Sequence, residues 1–186
     1  NGQEGSGAAA SRLEAVGGRD VLMVERFDRE HTEGGYLRFG LVSGFTMLDA
    51  DGYHLDRERW SYVLLADQLR RWSEKPNDDR IELFRRMVFN AAVTNNDDHP
   101  RNHAVRRMAN WELTPAYDLV PAPLVGLERR DLAMTVGTYG RTASVYNLLS
   151  QSERFGLSSE AAKKEIDAIV ATVRTWRDHF QTAGVS

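Results

Sequence analysis

The sequence predicts a mainly α fold with a short β-hairpin, and three observations carry that expectation. Ile81, Phe84, Val88 and Ala91 recur at three- and four-residue spacing, as do Ile166, Ile169, Val170, Val173, Trp176 and Phe180. Two short apolar runs, 21–24 and 36–42, lie beside the glycine pairs Gly17-Gly18 and Gly34-Gly35. A dense polar string, 95–103, separates the helical segments.

Taken in order, residues 1–10 are Gly, Ala, Ser and polar residues without a period. They read as the start of a flexible tail or linker over 1–19. Residues 21–24 read as a buried strand that pairs with 36–42. Residues 56–72 turn helical, with Trp60, Val63, Leu64 and Leu69 on one side. A stronger helix spans about 79–92, with Met87 beside its stripe and Asn77 or Asp78 as its cap. The segment 95–111, which holds the polar string, reads as a loop, and 111–119 as extended chain, with Pro121 and Pro123 keeping the next residues out of helix. Residues 144–155 form a short helix ended by Gly156. Ser158 or Ser159 caps the last helix, with Glu160 in its first turn. Its apolar stripe reads as core packing. Trp60, Phe84, Val88, Ile166, Ile169 and Trp176 are the main core candidates.

Composition narrows the function classes. The 186 residues carry 24 Lys and Arg against 27 Asp and Glu, a formal charge of -3. That balance supplies no global attraction to nucleic acid or acidic membrane. Cysteine is absent, which removes disulfides, thiolate nucleophiles and Cys-ligated metal. It fits a reducing, cytoplasmic setting. No apolar run reaches the roughly 18 to 20 residues of a membrane helix.

One constellation carries chemistry. Asp97 is followed five residues later by Asn102, and sixteen residues after that by Asp118. This order and spacing matches the phosphoryl-transfer site of protein kinases, where an Asp accepts the substrate hydroxyl proton and an Asn and a later Asp hold magnesium. Magnesium takes hard oxygen ligands, which Asn and Asp supply. Arg101 can neutralise phosphate, and His99 can position a phosphate oxygen or brace the loop. Two other readings stay open. Asp97 and Asn102 can satisfy backbone donors in a solvated loop. Asp97, Asp98, His99 and Asp118 can instead form the metal site of a phosphoesterase.

The same residues carry a family resemblance. Residues 24–29 (Val-Glu-Arg-Phe-Asp-Arg), 95–102 (Asn-Asn-Asp-Asp-His-Pro-Arg-Asn), 113–119 (Leu-Thr-Pro-Ala-Tyr-Asp-Leu) and 132–137 (Leu-Ala-Met-Thr-Val-Gly) resemble the HipA-like toxin kinases over roughly 22–180. The resemblance implies the C-terminal, helical lobe of a protein-kinase-like α+β fold over 20–186, with the N-terminal lobe largely absent. It implies a serine/threonine kinase of a toxin–antitoxin system that uses ATP and Mg. By motif position Asp97 resembles the catalytic base, and Asn102 and Asp118 the magnesium ligands. Glu25, Arg26 and Phe27 resemble the adenine-binding hinge, with Asp28 just past it, and His99, Arg101, Asn102 and Tyr117 lie near the nucleotide. For Asp28 an ion pair with Arg26 or Arg29 is an equal reading.

The implied partners are a helix-turn-helix antitoxin, which links the protein to DNA only indirectly, and a protein substrate of the aminoacyl-tRNA synthetase class. No membrane partner is implied. The sequence departs from the family in one respect. The 24 residues before Glu25 hold no lysine, and the chain has only Lys75, Lys163 and Lys164. The expectation is therefore a kinase lobe that is weak or inactive alone. The alternative is a non-catalytic remnant that binds an antitoxin or a substrate.

Overall fold

A computed structural model describes residues 7–50, 57–122 and 131–182. Asp56, Pro123 and the first six residues of the expected tail lie outside them. The fold is mainly helical, with small antiparallel sheets built from residues 11–43 and 104–113.

The core rests on three helices. Helix α2 (Tyr62–Trp72) starts at Ser61, whose hydroxyl accepts the Leu64 N–H at 3.3 Å. Tyr62, Leu65, Ala66 and Leu69 recur on one face and are buried. Leu64, expected on that face, points outward, and Leu65 takes its place. Helix α3 (Pro76–Ala92) buries Leu83, Phe84, Met87 and Val88.

The start of α3 differs from expectation. Asn77 and Asp78 lie inside the helix, and Lys75 holds the capping position without a side-chain bond. Pro76 explains this, because its fixed φ suits the first helical position and its missing N–H needs no partner there. Asp79 Oδ2 instead accepts from Ser73 Oγ at 2.6 Å and from the Leu113 N–H at 2.8 Å, tying α3 to the strand that follows the polar loop.

Helix α5 (Ser159–Arg174) is capped by Ser158, with Glu160 in its first turn. It lies against α3, to which Arg85 joins it through Glu165 at 2.8 Å. Between them, helix α4 (Val145–Leu149) and a 3₁₀ turn (Ser152–Phe155) end at Gly156, whose φ of +82° suits glycine. Phe155 packs edge-on against Phe84, with ring centroids 5.4 Å apart.

The apolar stripe of the last helix is core only in its first half. The chain bends at Thr175 into α6 (Trp176–Thr182), where Trp176 is 45% exposed and Phe180 49%. Those two rings pack on each other instead, 5.3 Å apart. Ile166 is buried and Ile169 half-buried, so Trp176 is the core candidate that the structure removes.

The strands also differ from expectation. Residues 21–24 do form a strand, but β2 (Arg19–Val24) pairs with β1 (Ser11–Val16), which lies in the stretch read as tail. The turn uses Gly17 and Gly18, both at positive φ. A second hairpin joins β3 (Arg29–Thr32) and β4 (Gly35–Arg38). The expected strand 36–42 is thus divided, and its second part is β5 (Gly40–Ser43), followed by the single turn α1 (Gly44–Met47). Nor is β2 buried: Leu22 is 62% exposed, and β1 and β2 present apolar side chains on both faces. β5 pairs with β6 (Ala104–Arg107), and β6 with β7 (Trp111–Leu113), in a three-stranded antiparallel sheet. β6 falls inside the region read as loop.

Candidate functional site

The polar string connects α3 to β6, so both its ends are anchored in the core. It begins at Thr94, whose φ of +57° is rare for a β-branched residue. Its hydroxyl donates to the Ala122 carbonyl at 2.7 Å. A 3₁₀ turn, Pro100–Asn102, ends the string. Gly44 allows that turn to sit against α1. Its N–H donates to the His103 carbonyl at 2.6 Å, and a Cβ there would stand 2.8 Å from the Pro100 carbonyl oxygen.

The second half of the site follows β7. The chain runs extended through Ala116, which exchanges backbone hydrogen bonds with Gly7 and Ala9. Arg86, buried on α3, donates to the Thr114 carbonyl at 2.7 Å. Tyr117 then donates its hydroxyl to the Arg101 carbonyl at 2.6 Å. This bond ties the segment bearing Asp118 to the turn bearing Asn102. Burial pushes the Tyr117 phenol up to about 12, so it remains a donor at neutral pH. Asp118 itself sits in the left-handed region at φ +58°, which Asp tolerates better than most residues.

The adjacent carboxylates Asp97 and Asp98 have opposite environments. Asp98 is 1% exposed. Its Oδ2 accepts from the Tyr62 hydroxyl and, at 2.7 Å, from Asn90 Nδ2, and it lies 2.9 Å from His103 Nε2. Burial works to raise its pKa, but His103 and Tyr62 together hold the carboxyl below the usual range. Burial and the Asp98 charge push the Tyr62 phenol well up. Asp97, one residue earlier, is exposed.

Among the described residues the carboxylates of Asp97 and Asp118 make no hydrogen bond or ion pair. Neither does the side-chain amide of Asn102, although Asn102 is buried. Two carboxylates and a side-chain amide left unused among the described residues are a donor set suited to a hard cation. The phosphoesterase arrangement fares differently. Asp98 turns into the core, and no group of three or more His, Asp or Glu side chains gathers at a metal-binding distance among the described residues.

Phe27 is half-buried with its ring 5.3 Å from Tyr117, and its carbonyl accepts from Arg106 Nη1 at 3.2 Å. The Glu25 N–H donates to the Ala10 carbonyl at 2.8 Å, and the Glu25 and Arg26 side chains are exposed. Asp28 pairs with Arg26 at 2.6 Å and Arg29 at 3.2 Å, which hold its carboxyl well below the usual range. Arg101 lies over the Phe45 ring at 3.8 Å, and His99 is half-buried beside Trp60. The structure thus links Phe27, Tyr117, Arg101 and Asn102 through successive contacts and leaves Glu25 and Arg26 outside them.

Sequence reasoning missed Asn90, Tyr62 and His103. A signal existed for the first two. Both are polar-capable residues at core register, Asn90 three residues after Met87 and Tyr62 three before Leu65.

Comparison with known proteins gives the frame. Residues 3–177 match the family model of the HipA-like C-terminal domain. No curated protein matches the chain. A chain in the solved structure of the Shewanella oneidensis MR-1 toxin–antitoxin system HipA, HipB and operator DNA complex has a similar fold. Its TM-score is 0.69 at 21% identity, over 88% of this chain and 43% of that one. This protein therefore spans less than half of that relative. Since the family match extends over nearly all of its length and the helical lobe has the same fold, the chain belongs to the HipA-like C-terminal domain family.

Proposed function

We propose that this chain is the catalytic lobe of a serine/threonine kinase of a toxin–antitoxin system, transferring the γ-phosphate of ATP to a protein hydroxyl. The observation that carries the reading is the set of unused oxygen donors on Asp97, Asn102 and Asp118, in kinase order, on segments tied together by Tyr117 and Thr94.

In this reading Asp97 orients the substrate hydroxyl and accepts its proton as the oxygen bonds to the γ-phosphorus and ADP leaves. Its exposure lets a protein substrate reach it. Asn102 and Asp118 hold magnesium, which offsets the charge of the phosphates when bound. Arg101 and His99 lie close enough in sequence to meet phosphate oxygens. Phe27 and Tyr117 form the apolar side towards the base. Glu25, Arg26 and Asp28 serve as the approach to it, with Asp28 engaged by its two arginines.

Transfer by this chain alone is slow. Its lysines, Lys75, Lys163 and Lys164, lie at the start of α3 and on α5, and none lies on a strand where it would reach a phosphate. A phosphate-covering segment carrying such a lysine, in the same protein or a separate chain, would raise the rate. A small DNA-binding antitoxin is the partner suggested by the HipB of the similar complex. An aminoacyl-tRNA synthetase is the proposed substrate class, and the setting is cytoplasmic. Among the described residues no helix is long and apolar enough to cross a membrane.

The two-sided apolar hairpin β1–β2 favours a second reading, a non-catalytic lobe that binds an antitoxin or a substrate through that surface. Transfer of labelled γ-phosphate to a pool of Ser/Thr peptides separates the two. Slow magnesium-dependent transfer abolished in Asp97→Asn supports the kinase. No transfer, or an equal rate in Asp97→Asn, supports the binding lobe.

A further inference from the structure

Asp97 is exposed, yet its backbone is held from both sides. On one side its N–H donates to Asn95 Oδ1 at 3.3 Å. Asn95 is buried, and its Nδ2 donates to Asn90 Oδ1 at 3.1 Å. On the other side the next residue, Asp98, accepts from Asn90 Nδ2 at 2.7 Å. The bonds close a ring: Asn90 to Asp98, along the chain to Asp97, to Asn95 and back to Asn90.

Asn90 supplies both faces of its amide to this ring and is fully buried on α3. The ring is fastened to two more elements. Tyr62 on α2 and His103 at the edge of β6 both reach the same Asp98 oxygen. A surface loop seldom has such fixings, because most of its polar groups turn to water. Here Asn95 and Asp98 turn inward, while Asn96 and Asp97 between them are exposed.

We infer that Asn90 and Asp98 are positioning residues that hold the Asp97 backbone in one conformation from beneath the loop. The inference deepens the kinase reading and rests on it for its catalytic consequence. A carboxylate that must meet a hydroxyl within hydrogen-bond reach gains from a fixed backbone, and a displacement of about 1 Å can cost on the order of 100-fold in rate. Charge alone does not require the ring, since Asp98 is too enclosed to touch a substrate.

The test is amide hydrogen exchange at Asp97 in the intact chain, with Asn90→Ala, Asp98→Ala and Asp98→Asn. An Asn at 98 can keep its amide oxygen where the three donors meet, so it is the conservative variant. The inference predicts exchange at Asp97 at least about tenfold faster in Asn90→Ala and Asp98→Ala, with amides in the middle of α5 changed much less. Asp98→Asn stays near wild type. In the transfer assay kcat falls by at least about tenfold in the two alanine variants while KM for MgATP changes less than about threefold.

Asn95→Ala, which cuts the ring within the loop, replaces any alanine variant that does not fold. Unchanged exchange at Asp97, or an equal rise at every amide, overturns the inference. If wild-type protein shows no transfer, the kinase reading falls while the exchange result still decides whether the ring holds Asp97.

Discussion

The two ends of the candidate site are built on opposite terms. The end bearing Asp97 and Asn102 grows out of α3 and β6, beneath which Phe84, Met87 and Val105 are buried. The end bearing Glu25 to Asp28 connects two hairpins whose Leu13, Leu22 and Leu37 are more than half exposed. Hydrophobic residues are plentiful in both. The difference is what lies opposite them. The helices bury their stripes against one another, whereas β1 and β2, apolar on both faces, meet water among the described residues. The hairpins reach the helical body through Phe27 on Tyr117, Arg106 on the Phe27 carbonyl, and backbone bonds of residues 7–9 to Ala116. The lobe thus holds its side chains by burial, whereas the hairpins leave most of theirs exposed.

The largest effects that could break this contrast lie in the core. Phe84→Ala should lower stability by about 3–5 kcal/mol, because it empties the centre shared by α2, α3 and Phe155. Denaturant unfolding checks this. Gly44→Ala should cost about 1–3 kcal/mol, since its methyl group meets the Pro100 carbonyl. It should also weaken MgATP binding, by shifting the turn that carries Asn102. A melt and a titration on the same sample separate the two effects.

Acid should act through the buried carboxylate. The folded Asp98 carboxyl lies below its unfolded value, so its stabilising contribution is complete above about pH 4 and is lost as pH falls through the folded value. Glu165, held low by Arg85, titrates in the same direction. The difference in Tm between wild type and Asp98→Asn should therefore shrink as pH falls below about 4. A constant difference down to pH 2 would show that the Asp98 charge does not support the fold.

Smaller effects sharpen the comparison. Tyr117→Phe removes the bond to the Arg101 carbonyl and should cost about 1 kcal/mol, with a weaker hold of the Asp118 segment visible as faster exchange there. Leu22→Ser, on the hairpin, should change stability by less than about 0.5 kcal/mol by thermal melt. A loss near that of Phe84→Ala would mean that the hairpin is part of the core.

How far this contrast can be read from sequence follows from the same physics. The helices of the lobe are legible because their stripes are periodic and their partners lie within the chain. The order Asp97, Asn102, Asp118 is legible because spacing along the chain is read directly from the sequence. Other features depend on neighbours that periodicity does not report. Residues 21–24 have the composition of a buried strand yet are exposed. The stripe of the last helix continues through Trp176 and Phe180 with the right spacing, but the chain bends at Thr175 and leaves them uncovered. Asp97 and Asp98 are alike in sequence, and only α2, α3 and β6 closing around the second one distinguish them.

The central claim is that the lobe itself carries a magnesium–nucleotide site. Calorimetric titration of ATP into the chain, with and without magnesium, and into Asp118→Ala, tests it most directly. The account predicts binding that needs magnesium and is lost in the variant. Absence of binding by the folded wild-type chain, or equal binding by Asp118→Ala, would contradict it.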